Sequence, residues 1–284
     1  MKTEIKLEEI NPFVRYVHTF GPRNYFGSCL HAPCEARCFL VRRGEVEIVM
    51  SRERYRLTEH QMLLIPAGCA YFYSDSTYDT EVLGINFDYT RQGSDRRSPI
   101  APIPLDRFCE KDLLEQITIA DFPELQMPIL VSNAIGLLDL AEEIETEYAA
   151  ARSLTDVTLS AKMKLLIIGI VERIRSDRRA SETVRAVISF IHLHCVEHIS
   201  NHQIGQALNF HPNYLNRLMQ RHTGKSLHAY LLHCRVLHAI RLLQTTTLSV
   251  GEVASSSGFG DLQQFSKIFR HITGHTPSEF RKMT

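Results

Sequence analysis

Arg217-Leu218-Met219-Gln220-Arg221-His222-Thr223-Gly224-Lys225-Ser226-Leu227-His228-Ala229-Tyr230 is answered fifty residues later by Lys267-Ile268-Phe269-Arg270-His271-Ile272-Thr273-Gly274-His275-Thr276-Pro277-Ser278-Glu279-Phe280. Arg217 matches Lys267, Met219 matches Phe269, Thr223-Gly224 matches Thr273-Gly274, and Tyr230 matches Phe280. A duplicated unit with cations at equivalent helix positions predicts two equivalent reading heads on a periodic polymer, and duplex DNA is such a polymer.

Each copy reads as helix, turn, helix. In the first, Ile204 to Phe210 is a short apolar helix and Pro212 opens the next one, since proline is tolerated in a first turn. That second helix sets Leu215, Leu218 and Met219 on one face. Asn213, Asn216, Arg217 and Gln220 fall on the other, as side chains able to read base edges or hold phosphates. In the second copy Val250, Val253 and Ala254 precede a turn at Gly258. Phe265, Ile268 and Phe269 then face inward while Gln263, Gln264 and Lys267 face out. Thr223-Gly224 and Thr273-Gly274 end the two reading helices. Leu227 to Thr245 joins the copies with helical spacing. Its nineteen residues make a rod of roughly 28 Å, close to the separation of about 34 Å between successive major grooves.

The pattern Gly258-Phe259-x-Asp261-x-x-x-Phe265-Ser266-Lys267-x-Phe269-Arg270-x-x-x-Gly274-x-Thr276-Pro277-x-x-Phe280-Arg281, preceded by Ser249-Val250-Gly251-Glu252-Val253-Ala254, resembles the signature of the AraC/XylS family of bacterial transcription regulators. The resemblance implies a DNA-binding domain over residues 181–284, built of two helix-turn-helix units on a long connecting helix. It implies base contacts from Asn213, Asn216 and Arg217 in the first unit and from Leu262, Gln263, Gln264 and Lys267 in the second. Gln220, Arg221 and Arg270 complete the expected DNA-facing set. Gly205 stands where the family usually has alanine and Asn201 where it usually has leucine, which predicts a looser first unit. Leu262 stands where a polar reader is common and suits a thymine methyl.

The chain carries 32 basic and 32 acidic residues, but unevenly: residues 181–284 hold 10 Lys+Arg against 5 Asp+Glu, and 11 of the 14 histidines follow residue 180. A basic C-terminal part beside an acidic remainder fits phosphate binding by one half only. No apolar run approaches 18 residues, and the opening Met-Lys-Thr-Glu-Ile-Lys leads into no apolar signal core. Seven cysteines without paired spacing suit a reducing cytosol, so a cytoplasmic bacterial protein is expected. Cys29, Cys34 and Cys38 lack the Cys-x-x-Cys pairing of zinc sites; His194, Cys195 and His198 read as helix surface more readily than as a metal site.

Residues 36–89 read as closely spaced short strands, as in a β-barrel or jelly roll. Strand, Gly44 turn, strand and then Leu64-Ile65-Pro66-x-Gly68 resembles a cupin, over about residues 25–95. Cupin enzymes hold a metal through a His-x-His-x-Glu cluster and a later histidine. Here the first cluster is missing and Tyr71 stands in the later place, so no metal, no cofactor and no catalytic residue is expected. Tyr71 and Tyr73 have two readings: an effector pocket, with Tyr73 at a position resembling a ligand contact of sugar-binding relatives, or plain barrel packing.

From 111 to 179 the pattern turns helical, with one helix from Ile129-Leu130 through Tyr148 and another from Leu159 through Ile174. Ser176 to Ser181 reads as a linker. The resemblance makes these helices a dimerisation segment; packing on their own barrel is the alternative.

The expected fold is an α+β multidomain chain. A cupin-like barrel (1–110) is followed by a helical dimerisation and linker region (111–180) and an all-α double helix-turn-helix domain (181–284). The expected function is a non-enzymatic, sequence-specific transcription regulator, an activator or a repressor. It binds double-stranded DNA as a homodimer under a small-molecule effector, a carbohydrate or related metabolite, with RNA polymerase as a further partner. The alternatives are a cupin enzyme with a DNA-binding tail and a regulator controlled by a protein partner. No membrane role is expected.

Overall fold

Alternation of apolar and polar residues shapes the front of the chain in the computed structural model, which describes residues 3–21, 29–50, 53–92 and 98–283. Two units separate by their contacts, Met1–Ile174 and Arg175–Thr284. The first holds β1 (Thr3–Ile5), β2 (Phe13–Phe20), β3 (His31–Ala32), β4 (Ala36–Arg43), β5 (Glu45–Met50), β6 (Glu53–Thr58), β7 (Met62–Ile65), β8 (Tyr71–Ser76), β9 (Glu81–Asp88), β10 (Ile103–Pro104), β11 (Ile117–Ile119) and β12 (Ile129–Val131). They form two five-stranded antiparallel sheets, ordered β10-β3-β8-β5-β6 and β12-β7-β4-β9-β2, beside a parallel β1-β11 pair.

The sheets differ in what covers them. In β5, Val46, Ile48 and Met50 are buried while Glu45, Glu47 and Val49 are not, the period-2 pattern of a sheet with one wet face. In β4 and β7, Cys38 to Val41 and Met62 to Ile65 are buried without a break. Phe39, Val41, Leu63 and Ile65 meet Val46, Ile48, Tyr71 and Tyr73 between the sheets. Cys38, Leu40, Met62 and Leu64 face the other way, into a second core completed by helices. Those helices are α1 (Ile135–Ala150), through Leu137, Ala141 and Ile144, and the first half of α2 (Thr155–His194), through Leu159, Met163, Leu166 and Ile170.

Two helical expectations are corrected here. The helix read from Ile129 begins only at Ile135, because Ile129-Leu130-Val131 pairs with β7 as an edge strand, Ile129 opposite Leu64 and Val131 opposite Met62. The linker read over Ser176–Ser181 lies inside α2. That stretch has no glycine or proline to stop a helix, and the Thr183 hydroxyl donates back to the Arg179 carbonyl within it.

The second unit contains the end of α2, α3 (Asn201–Leu208), α4 (Pro212–Thr223), α5 (Leu227–Thr245), α6 (Val250–Ser256), α7 (Leu262–Thr273) and α8 (Pro277–Met283). One cluster packs α2, α3, α4 and the start of α5 around Ile191, Ile204, Leu215 and Met219. A second packs the end of α5 with α6 and α7 around Val236, Val253, Phe265 and Phe269. The α5 rod spans the nineteen residues expected of it and serves both clusters.

Two glycines are fixed by close approach. A Cβ on Gly205 would sit 2.6 Å from the Phe210 carbonyl oxygen, so the first turn is closer-packed at this point than alanine would allow, not looser. Gly258 has φ +81°, and a Cβ there would come within 2.9 Å of the Cys195 carbonyl oxygen. Gly258→Ala therefore combines a left-handed backbone with a collision against main chain, and we expect it to cost about 2 kcal/mol. Gly251, in α6 with open space around it, should gain up to about 1 kcal/mol on conversion to alanine. Chemical denaturation of the two full-length variants checks the pair; equal and small effects would show that the Gly258 backing is not a constraint.

Candidate functional site

The duplication seen in the letters is repeated in hydrogen bonds. The Thr223 hydroxyl donates to the Met219 carbonyl (2.7 Å) and accepts from the Lys225 amide (3.3 Å). The Thr273 hydroxyl donates to the Phe269 carbonyl (2.8 Å) and accepts from the His275 amide (3.3 Å). Gly224 and Gly274 follow with φ +69° and +82°. Ser200 and Ser249 each form a capping box, with Gln203 and Glu252, at the first helix of their unit. The second helices, α4 and α7, are capped differently: the Asn213 amide donates to His211 Nδ1 (3.2 Å), and the Gln263 and Gln264 amides donate to the two carboxylate oxygens of Asp261 (3.3 and 2.8 Å).

Fixed in this way, α4 and α7 expose matching stripes fifty residues apart. Asn213, Tyr214, Arg217, Gln220 and Arg221 are exposed on α4; Gln263, Gln264, Lys267, Arg270 and His271 are exposed on α7. Each set has i, i+1, i+4, i+7, i+8 spacing, one face of a helix. Leu262, also exposed, lies in the first turn of α7. Asn216 is off the stripe: it is half-buried, and its Oδ1 accepts the Leu227 amide at 2.9 Å, at the start of α5. The Gln220 side-chain amide donates to the Gly224 carbonyl at 3.0 Å. Sequence reasoning missed Tyr214, whose ring lies 5.4 Å from that of Phe210, and His271. The fifty-residue offset finds both, since they correspond to Gln264 and Arg221.

Sequence reasoning also missed Arg235. This buried side chain of α5 donates from Nε to the Cys195 carbonyl and from Nη2 to the Glu197 carbonyl, both at 2.7 Å, and its guanidinium carbon lies 5.9 Å from the Phe259 ring centre. It thus ties the chain just beyond α2, in the first cluster, to an aromatic of the second. Burial lowers its pKa from the usual arginine value. Its only signal in the sequence is a cation among the apolar residues Cys234, Val236 and Ala239.

In the front unit, Tyr71 and Tyr73 point between the sheets and line a cavity of about 310 Å³ with His18, Phe20, Arg37 and Phe39. Arg37 is buried; its Nε and Nη2 donate to Glu35 Oε1 (3.2 and 2.8 Å), Nη2 also to the Ile100 carbonyl (2.8 Å), and Nη1 to the Tyr71 hydroxyl oxygen (2.9 Å). Asn86 donates to the same Glu35 oxygen at 3.0 Å. His18 stacks between Tyr16 and Phe20, its ring lying over Gly84, where a Cβ would be 2.8 Å away. Burial, with the nearby Arg37 charge, holds its pKa down to about 4. Its Nδ1 is buried with no hydrogen-bond partner among the described residues.

Of the cysteines singled out in the sequence, Cys29 is exposed and Cys34 and Cys38 are buried, with burial raising the pKa of both buried thiols. His194 Nδ1 lies 2.8 Å from Glu197 Oε1, just past the end of α2. Among the described residues no three His, Cys, Asp or Glu side chains are grouped to hold a metal, and no helix is long and apolar enough to cross a membrane.

Residues 204–283 match a family model described as a helix-turn-helix domain. A stretch of 110 residues is 33% identical to the uncharacterized HTH-type transcriptional regulator YijO of Escherichia coli, covering 39% of each chain. Over 263 residues the chain is 23% identical to the uncharacterized HTH-type transcriptional regulator YpdC of the same organism, covering 89% of this chain and 82% of that one. Among solved structures, the C-terminal domain of AraT, a response regulator from Geobacillus stearothermophilus, is 27% identical, over 36% of this chain and 85% of that one, with a TM-score of 0.35. The chain spans between about a third and a half of the length of the first curated relatives it matches, from 36% to 49%.

Arg235→Lys keeps the charge but cannot reach two carbonyls with a planar fork. We expect a loss of about 2 kcal/mol in unfolding stability, in the range for a buried charged donor leaving its acceptors unpaired. Denaturant titration monitored by circular dichroism checks it; an unchanged midpoint would show that the two carbonyl bonds do not tie the unit together.

Proposed function

We propose that the chain is a sequence-specific transcriptional regulator of the AraC family, which it resembles through its double helix-turn-helix, and that it reads double-stranded DNA with α4 and α7. The observation that carries this reading is the pair of matched polar and basic stripes on two helices held by the same hydrogen bonds. Arg217 is the strongest base reader, because a guanidinium bonds the guanine O6 and N7 edge bidentately. Lys267, Arg221 and Arg270 hold phosphates. Asn213, Gln263 and Gln264 offer amides suited to adenine, and Leu262 a methyl contact to thymine. Asn216 positions α5 through its bond to Leu227 and contributes no base contact of its own.

The front unit acts as the sensor. Its cavity holds a small-molecule effector, and the carbohydrate class suggested by the sequence is one candidate. Homodimer formation is supported by the surface of α2: Val157 and Leu165 are 65% and 58% exposed on a helix whose opposite face packs on the second sheet. Apolar side chains two turns apart on an open helix face suit a self-complementary contact.

Binding-site selection checks the reading. Arg217→Ala should lower affinity by about 1–3 kcal/mol and relax preference at one base pair, and wild-type affinity should fall steeply between about 50 and 200 mM salt. An unaltered preference in the variant, or a flat salt response, overturns the reading role. Leu165→Glu should weaken self-association at least about tenfold in sedimentation equilibrium, since a carboxylate would be buried in an apolar contact. An unchanged assembly state would place the interface elsewhere.

A further inference from the structure

We propose that the front unit contains a proton switch: the carboxyl of Asp88, at the end of β9, holds a proton in the folded chain, and losing it loosens the first turns of α2.

The charges at this end of the second sheet do not balance. Asp88 is 2% exposed and pairs with Nη2 of Arg15, on β2, which is 1% exposed. Asn86, two residues back along β9, lies on the same face of the strand. Its Nδ2 donates to Glu35 Oε1 at 3.0 Å, and Glu35 holds Arg37 of β4. Glu115, half-buried ahead of β11, lines one small cavity of about 50 Å³ together with Asp88. Cys34 and Tyr89 line it too, and burial raises the pKa of both, so neither adds a charge. Arg91 is exposed and directs Nη2 at the Asp156 carbonyl. Among the described residues, then, the carboxyls of Glu35, Asp88 and Glu115 face two guanidiniums, those of Arg15 and Arg37. Two cations match two carboxylates. The third carboxyl is either protonated or a buried charge without a counterion, which is costly.

Hydrogen bonding selects which one. Glu115 accepts from the Tyr89 amide at 2.7 Å, from the Thr90 amide at 2.6 Å and from the Thr90 hydroxyl. Glu35 Oε1 accepts from Arg37 and Asn86. Donors aimed at a carboxylate favour its charged form. Asp88 has Arg15 as its partner. Glu35 Oε2 and Asn86 Oδ1 are buried without a donor among the described residues, so the group is short of protons as well as of positive charge. Burial, ahead of the like charges of Glu115 and Glu35, raises the Asp88 pKa to about 7 against the pull of Arg15. Burial raises Glu115 as well, and its donors oppose that.

The chain leaving β9 is bonded to the start of α2. The Asn11 amide donates to the Tyr89 carbonyl at 3.0 Å, and the Ser160 hydroxyl donates to Asn11 Oδ1 at 2.7 Å. Arg91 Nη2 reaches the Asp156 carbonyl at 3.0 Å. Deprotonation leaves an unmatched charge next to Tyr89, and hydrating it pulls the strand end toward water. Tyr89 and Arg91 then give up their hold on α2. Val157, on the face proposed for self-association, lies in these turns, but the inference does not depend on that reading and its test does not use it.

Infrared spectroscopy of the full-length protein should show a protonated-carboxyl band at about pH 6 that is lost by about pH 8, and Asp88→Asn should lack it. Glu115→Gln removes a like charge, so it should move the loss to lower pH by about half a unit or more. The folded chain binds this proton more tightly than the unfolded chain, where the carboxyl titrates near about 3.9. The contribution of Asp88 to stability therefore falls as pH rises from about 4 to about 7 and is level above that. The melting temperature of Asp88→Asn relative to wild type should rise over the same range and then hold. Amide hydrogen exchange over residues 155–160, with the two proteins compared at one pH at a time, should agree at about pH 6 and be at least about threefold faster in wild type at about pH 8. A band that survives Asp88→Asn, or a midpoint unmoved by Glu115→Gln, overturns the proton on Asp88. Equal exchange in the two proteins at the higher pH overturns the coupling to α2.

Discussion

Arg235 is the constraint on which the second unit turns. Burying a guanidinium costs desolvation, and the molecule offsets that cost with two carbonyl acceptors at 2.7 Å and an aromatic face. The carbonyls belong to Cys195 and Glu197, where the chain leaves α2 and its backbone acceptors have no helical partners. The aromatic is Phe259, beside the glycine that lets the second turn back onto the same carbonyl. One side chain thus satisfies the end of one helix and fixes the turn of the second reading unit. With α5 as a rod shared by both clusters, α4 and α7 hold one spacing, as the proposed contact with a periodic duplex requires.

Within that frame the two heads are similar in build and different in chemistry. The stops of α4 and α7 are bonded alike, but the starts are not: an imidazole caps α4 and a carboxylate caps α7. A carboxylate at a helix N-terminus is favoured by the helix dipole and also repels a phosphate brought near it. At the matched central position the first head has Arg217 and the second Lys267. A planar fork discriminates between base edges and a compact ammonium does so poorly. On the proposed reading the first head is then the better reader and the second the better anchor, an asymmetry that the similarity of the two copies does not dictate.

The sequence made the second unit readable because its signals are local or repeated. The apolar period places Leu215, Leu218 and Met219, the fifty-residue offset pairs Arg217 with Lys267, and α5 shows its full length in its own spacing. Asn216 misleads for a local reason: its period puts it beside the exposed face, while its carboxamide serves the next helix. Arg235 hides because its partners lie some forty residues back. In the front unit the same difficulty governs the whole site. His18, Arg37 and Tyr71 come from three strands, and only sheet order and register bring them to one cavity. Likewise Ile129 to Val131 suits a helix by apolarity alone, and pairing with Met62 to Leu64 settles it as a strand.

That cavity shares its backbone with the helical face of the barrel. Along β4, Phe39 turns toward the pocket while Cys38 and Leu40 turn toward the core that α1 and α2 complete. Pleating makes this alternation unavoidable, and close packing on both sides leaves the strand little room to absorb a displaced ring. A ligand that shifts Phe39 therefore acts on the strand that carries Leu40, one residue from the helix contact. On the first sheet the same displacement would be lost, because the outer face of β5 carries Glu45 and Glu47 toward solvent. Of the two sheets that hold the cavity, the one buried on both faces is the one through which the proposed occupancy would act on the helices packed on it.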